Sequence, residues 1–401
     1  MRGLLTYATA SLFAGPALAG PILSARGGNN QDRCNHDNPF KDVTVYANYR
    51  YATKLRDTID AFTAKGDAAG VAGAKVLQKT PTFIWLSSIG DIAYLEPQLL
   101  DAKADQDANW EQRAIPLVIY NLPGRDCAAL ASAGEIPLGP DALEIYKTQY
   151  IDPIVAMMRK YNSLRYITVI EPDSLANLVT NMHVPACAQA AAIYKAGVAY
   201  AISQLQDKNV AVYLDIGHSN WLGWPANLQP TAKLFAEVRK WAGQRTNKFR
   251  GFVSNVSGYN AYNSTTPDKI YGLGPDNSNW NEWRFFKSLT PYLINNDLPT
   301  KFIVDQGRAG VSNIRTYGSD WCNIDGAGIG TRPTIVTNDC NVDAIVWVKP
   351  PGESDGTSDE NAARFDATCR GVDAFVPSPE AGDWHEAYIE MLIKNANPPL
   401  V

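Results

Sequence analysis

Four aspartates sit where short apolar runs end: Asp126, Asp173, Asp215 and Asp355. In β/α proteins the carboxyl end of a strand is where chemistry is done. Gathering several like charges there is costly unless their proton affinities are split or a metal or substrate needs them. Two carboxyl groups with separated proton affinities can cleave a glycosidic bond: one protonates the leaving oxygen while a carboxylate supports the attack of water. A divalent metal site is the rival use of such acids. It would more often bring His or closely spaced Asp pairs, whereas these come one per strand, so neither metal nor cofactor is expected.

The run from Ile167 to Ile170, closed by Glu171-Pro172-Asp173-Ser174, anchors the pattern. It reads as a strand buried on both faces. Pro172 cannot donate a ladder hydrogen bond, so the strand stops there and presents Asp173 at its tip. The plainer alternative is that Asp173 only caps the following helix.

Seven further runs have the same character: 43–47, 82–86, 116–120, 210–215, 251–255, 301–305 and 344–348. Helical periodicity lies between them, at 55–62, 143–158 (kinked at Pro153), 186–206 and 234–241. A closing helix begins near Asp383, with Glu386 three residues on as in a capping box and Trp384, Tyr388 and Leu392 buried. Alternating apolar strands and helices predict an α/β fold with a parallel sheet, and eight runs favour a barrel. Two connections, 121–139 and 349–382, are long and aperiodic, as binding-site loops often are, and each contains a cysteine.

The chain carries a net charge of −5 with no Lys/Arg block, which argues against nucleic acid or an anionic membrane as partner. Residues 1–19 read as a removed signal peptide: Arg2, an apolar stretch, then Ala17-Leu18-Ala19. Residues 20–40 read as an irregular tail and 41–401 as one barrel domain, secreted and monomeric, with no appended module. Six cysteines without C-x-x-C spacing suit disulfides in an exported chain. Of two sequons, Asn263-Ser264-Thr265 lies in a polar turn where a glycan could sit. Ten Trp and nineteen Tyr are enough for core and sugar stacking alike. Trp221 and Trp224, three apart in a Gly/Pro-interrupted loop, read as a pair of sugar platforms, and Trp321 as another. His218 alone is weak evidence.

Tyr120-Asn121-Leu122-Pro123-Gly124-Arg125-Asp126-Cys127 and Ile170-Glu171-Pro172-Asp173-Ser174-Leu175-Ala176-Asn177 resemble the two signatures of glycoside hydrolase family 6. Tyr213-Leu214-Asp215 through Asn227, Asp320-Trp321-Cys322-Asn323, and Trp347 through Asp359 match it as well, so the likeness spans about 41–401, and it is closest to the family's fungal cellobiohydrolases. It implies a distorted seven-stranded β/α barrel, TIM-barrel-like, in which one of the eight runs does not join the ring normally. Two long loops would form an active-site tunnel. It also implies inverting hydrolysis of β-1,4-glucan, with cellulose and cello-oligosaccharides as partners. The general acid would be Asp173. Asp126 would raise the proton affinity of Asp173 and handle the proton of the attacking water through Ser132. Tyr120 would distort the sugar ring. Asp355 is the base by position, or equally a substrate-binding and charge-stabilising group.

By the same resemblance Asp215, Lys349, Glu353, Asn255 and His218 would hydrogen-bond sugars. Trp321 would stack on the non-reducing side, and Trp221 and Trp224 on the leaving side. Tyr46 stands where the family usually places a Trp platform. Cys127–Cys187 and Cys322–Cys369 are the family's pairs, leaving Cys34 and Cys340 to join tail and barrel. Long loops favour release of cellobiose from non-reducing chain ends. An endo-acting glucanase of the same family, or a non-catalytic cellulose-binding protein, are the alternatives.

Overall fold

The structure, a computed structural model, describes residues 36–243, 249–270 and 277–401. The leader, most of the tail and Cys34 lie outside these residues, and so does the Cys34–Cys340 pairing.

All eight runs are strands: β1 (Thr44–Val45), β2 (Ile84–Leu86), β3 (Arg113–Ile119), β4 (Arg165–Ile170), β5 (Val210–Asp215), β6 (Gly251–Ser254), β7 (Phe302–Asp305) and β8 (Val342–Val346). They form one parallel sheet in the order β1-β3-β4-β5-β6-β7-β8, with β2 joined to β3 off that path. β1 takes the first part of β3, Thr44 opposite Arg113. β2 takes the last part of the same edge, from Ile84 opposite Leu117 to Leu86 opposite Ile119. Two short strands thus share one place in the circuit, which is how eight runs make a seven-stranded curl. Among the described residues no ladder joins β8 to β1 or β2. The gap is bridged by the Phe83 N–H on the Trp347 carbonyl (3.2 Å) and the Trp85 indole N–H on the Val348 carbonyl (2.9 Å).

The period-2 alternation of side chains sorts the core into two layers. Ala114, Val118, Ile167, Val169, Tyr213, Val253, Ile303 and Val346 fill the inside of the curl. Ile115, Leu117, Ile119, Ile170, Leu214, Phe252 and Phe302 face outward, under the helices. Both faces of each strand are therefore covered, as the near-continuous apolar runs require.

The helices are α1 (Tyr49–Ala64), α2 (Ala68–Leu77), α3 (Leu95–Asn109), α4, α5 (Ser174–Thr180), α6 (Pro185–Gln204), α7 (Pro225–Trp241), α8 (Glu282–Ile294) and α9 (Glu386–Lys394). α4 has three contiguous pieces, Ala142–Ile145, a π-helical Tyr146–Ile151 and Asp152–Lys160. Pro153 does not simply kink it: the proline has no N–H for an α-helical bond, and the turn before it widens into a π-helix. The closing helix starts at Glu386, and the expected capping box does not form. Its N-cap is His385, without a side-chain bond. Glu386 instead accepts from Thr58 Oγ1 and the Trp384 indole, both at 2.8 Å. Tyr388 and Leu392 are buried, while Trp384 is only partly so.

The two long connections carry no α-helix, only a 3-10 turn at Ala367–Arg370 in the second. Cys127–Cys187 ties the first to α6, and Cys322–Cys369 ties the second to the connection after β7.

Candidate active site

Asp173 stands at the N-cap position of α5 with a left-handed φ of 66° and makes no side-chain capping bond. The plain capping role is therefore not the one this side chain plays. Its backbone N–H donates to Asp215 Oδ2 at 2.9 Å, and the Gly217 N–H donates to the same oxygen at 3.1 Å. Two N–H donors favour the ionised form of Asp215, while the Asp173 carboxyl has none among the described residues. Burial still pushes Asp215 up to about 7, against the pull of those N–H groups. Asp173 is held well above the usual carboxylate range, by burial first and then by the charges of Asp215, Asp126 and Asp355. Of the two, Asp173 holds its proton the more tightly.

Asp126, also at a left-handed φ of 66°, hangs from the loop after β3. It accepts the Ser132 N–H at 2.7 Å. Burial raises its proton affinity, and the Ser132 N–H and Arg125 partly oppose this. Asp355 is the opposite case. Its Oδ2 accepts from Arg308 (2.7 Å), Asn323 N–H (2.9 Å) and the Tyr259 hydroxyl (3.1 Å), and Lys349 Nζ lies 3.7 Å from Oδ1. Burial alone would raise it, but Arg308 and Lys349 outweigh that and hold it below the usual range.

Tyr120 completes the floor. Its ring meets Trp85 edge-on at 5.3 Å, and the Arg125 guanidinium lies 4.3 Å over it. Trp85, Tyr120, Asp126, Asp173 and Asp355 line a cavity of about 720 Å³, together with Ser132, His218, Trp221, Asn255, Trp321 and Lys349. A second cavity of about 420 Å³ shares Trp85, Tyr120, Ser132 and Lys349 with it and adds Glu353, which is paired with Lys54 at 2.7 Å. The two are successive compartments of one cleft. Across it the two long loops touch: the Leu130 N–H reaches Asp366 at 3.3 Å, and Ala131 packs on the Cys322–Cys369 disulfide beside Trp321.

Four expected binding residues play other parts. Asp215 lines neither cavity, and its Oδ2 is taken by the Asp173 and Gly217 N–H groups, so it acts on Asp173 rather than on sugar. Tyr46 is only 6% exposed, packs in the outer core layer and bonds Asp101 through its hydroxyl at 2.7 Å, so it is no platform. Trp224 faces neither cavity, because it leads into α7 and its indole turns back to the Asn220 carbonyl at 3.2 Å. Asn255 lines the cleft, but its amide is spent on the carbonyls of Asn260 (3.0 Å) and Asp305 (2.8 Å), which makes it a brace.

Several contributors were not singled out from sequence. Arg308 neutralises Asp355 from a turn just beyond β7. Glu171 accepts from the Asn121 and Leu122 N–H groups (3.1 and 3.2 Å) and the Tyr146 hydroxyl (2.8 Å), fixing the root of the Asp126 loop. Arg125 crosses that loop to the Ser132 and Ser87 carbonyls, both at 2.8 Å. The only signal for Glu171 was its place two residues before Asp173. A buried arginine such as Arg308 has no signature in one dimension. Among the described residues, no group of His, Cys, Asp or Glu could hold a metal ion, and no helix is long and apolar enough to cross a membrane.

A carboxyl kept protonated among other acids, in an aromatic-walled cleft at the strand ends, defines a two-carboxylate glycosidase site. The chain belongs to the Glycosyl hydrolases family 6, whose pattern matches residues 40–396. It is 45% identical to Exoglucanase 3 of Agaricus bisporus over 363 residues, 90% of this chain and 80% of that protein. It is likewise 45% identical to a putative endoglucanase type B of Fusarium oxysporum, over 90% of this chain and 77% of that one. The solved structure of cellobiohydrolase II (Cel6A) from Humicola insolens, in complex with glucose and cellotetraose, superposes with a TM-score of 0.86 at 42% identity. That match covers 90% of this chain and 99% of the other.

Proposed function

We propose that this protein is a secreted, inverting β-1,4-glucan hydrolase that releases cellobiose from the non-reducing ends of cellulose. The observation that carries the reading is the split among the acids: Asp173 is protonated by its surroundings, and Asp355 is held ionised by Arg308 and Lys349. Asp173 donates its proton to the glycosidic oxygen, and water attacks from the other face of the sugar. Asp126 keeps the proton on Asp173 and receives the proton of the water through a chain beginning at Ser132. Tyr120, braced by Trp85 and Arg125, presses the reacting sugar toward the flattened oxocarbenium shape. Asp355, whose proton affinity is lowered, serves better as a fixed negative charge beside that cation than as a base. Trp221 and Trp321 stack sugars on either side, and Lys349 and Glu353 hydrogen-bond them.

The contact between the two loops supports attack from a chain end. The endo reading stays as the alternative because one relative bears that name. The test is how new reducing ends divide between soluble sugar and insoluble residue early in digestion of amorphous cellulose. Nearly all soluble, as cellobiose, supports the closed cleft; a large insoluble share replaces it with the endo reading. Asn263 is exposed, so a glycan there is expected, with loss of mass on enzymatic deglycosylation.

A further inference from the structure

Asn260 follows β6, and its side chain gathers partners from three other segments. Its Oδ1 accepts from Asn220 Nδ2 at 3.0 Å and from Arg315 Nη2 at 2.5 Å. Its Nδ2 lies 3.0 Å from Glu282 Oε1, 3.2 Å from Ser219 Oγ and 3.1 Å from His218 Nδ1. The two ends of an amide are otherwise interchangeable, but arginine can only donate. The oxygen therefore faces Arg315, and the two hydrogens of the NH2 go to its two shorter contacts, Glu282 Oε1 and His218 Nδ1, leaving the Ser219 hydroxyl the weakest of the three. Glu282, fully buried at the head of α8, is held in turn by the Ser219 N–H (3.0 Å) and the Ser254 hydroxyl (2.5 Å).

A histidine nitrogen that receives an N–H carries no proton. In a neutral ring the proton then sits on the other nitrogen. Nε2 of His218 bonds nothing among the described residues, and the residue lines the main cavity. We propose that Asn260, anchored by Glu282 and Arg315, is a positioning residue that fixes His218 as a neutral donor presenting Nε2–H to the cleft.

The charged groups around the ring agree with this. Burial, with the Arg315 charge from the loop after β7, pushes His218 down to about 3. Of the carboxyl groups around the network, Glu282 from α8 reaches the ring through the Asn260 amide, while Asp268 and Asp320 act on Arg315 and Asp215 on Glu282; among the described residues none bonds the ring itself. His218 thus keeps one donor at one place across the whole acid to neutral range. A sugar hydroxyl, able to donate or accept, is forced to accept there, and Arg315 is set by the same amide as a second donor on that wall.

The proposal rests on the sugar-cleft reading for the use of the donor, but the tautomer can be read without turnover. Two-bond 1H–15N spectra of the whole protein, with the ring signals assigned by His218→Gln, should show bare Nδ1 and protonated Nε2 from pH 4.5 to 8. A proton on Nδ1, or titration within that range, overturns the proposal even if no variant folds. Asn260→Asp replaces the NH2 with an acceptor of the same shape. It should move the proton to Nδ1 or charge the ring, and raise KM for cellotetraose about tenfold with a smaller change in kcat. Glu282→Gln still offers Asn260 a carbonyl and should keep the wild-type tautomer. An Asn260→Asp protein with unchanged ring signals and KM would also overturn it. Failure of the wild-type protein to bind cello-oligosaccharides, with the expected ring signals in place, would count against the sugar reading and for the tautomer.

Discussion

Asp173 can work as an acid because no described residue donates to its carboxyl while three other acids surround it. Asp173→Asn removes the proton and leaves the shape. We expect kcat to fall by about 10²–10⁴, with cello-oligosaccharide affinity retained, measurable by turnover and by calorimetry. A variant with full turnover would move the acid elsewhere. The rate should decline as pH rises through the raised Asp173 value, because only the protonated form acts. Asp215→Asn keeps a carbonyl for the Asp173 and Gly217 N–H groups but removes a charge that holds the proton on Asp173. Its alkaline limb should therefore move to lower pH in kcat/KM profiles; an unmoved limb would leave burial and the charges of Asp126 and Asp355 as the cause.

At the scale of elements, the site is two loops held at their roots and across their tips. Glu171 fixes the root of one, and the disulfides hold both. Cys322 and Cys369 close a span of 47 residues, and their bond packs against Ala131 of the opposite loop. Replacing both with serine should lower stability by about 2–4 kcal/mol, seen as a lower urea midpoint. It should also raise the insoluble share of new reducing ends, because the roof then opens. Lower stability with an unchanged product division would mean that this staple does not control closure. The existence of both loops was legible, since neither connection has helical period. Their contact was not, because Leu130 and Asp366 are 236 residues apart and nothing local relates them.

The molecule as a whole stores several acids at raised proton affinity. Glu171 and Asp215 are each pushed up to about 7 by burial, and Asp305 to about 6. An acid whose folded value exceeds its unfolded one contributes stability fully present below the unfolded value and lost as pH rises through the folded one. The window is therefore about pH 4 to 7, and Glu171 alone accounts for about 3 kcal/mol across it at 1.36 kcal/mol per unit. Asp355, lowered instead, gives up its share only at more acid pH. The melting temperature should fall steadily from pH 5 to 8 in calorimetry; a flat or rising curve would contradict the protonated cluster. The eight strands, their parallel pairing and the acids at their tips were legible in sequence because each depends on a few consecutive side chains: an apolar run, a proline stop, a carboxylate after it. The resemblance to a family added the pairing of four cysteines and the division of labour among the acids. Only the tertiary structure could place β1 and β2 on one edge of β3, turn Tyr46 into the core and Trp224 onto its own loop. Only it could give Asp355 an arginine and leave Asp173 without a donor among the described residues. Strand periodicity is set by neighbours in the chain, but the proton affinity of a carboxyl is set by whatever the fold brings within a few ångströms of it.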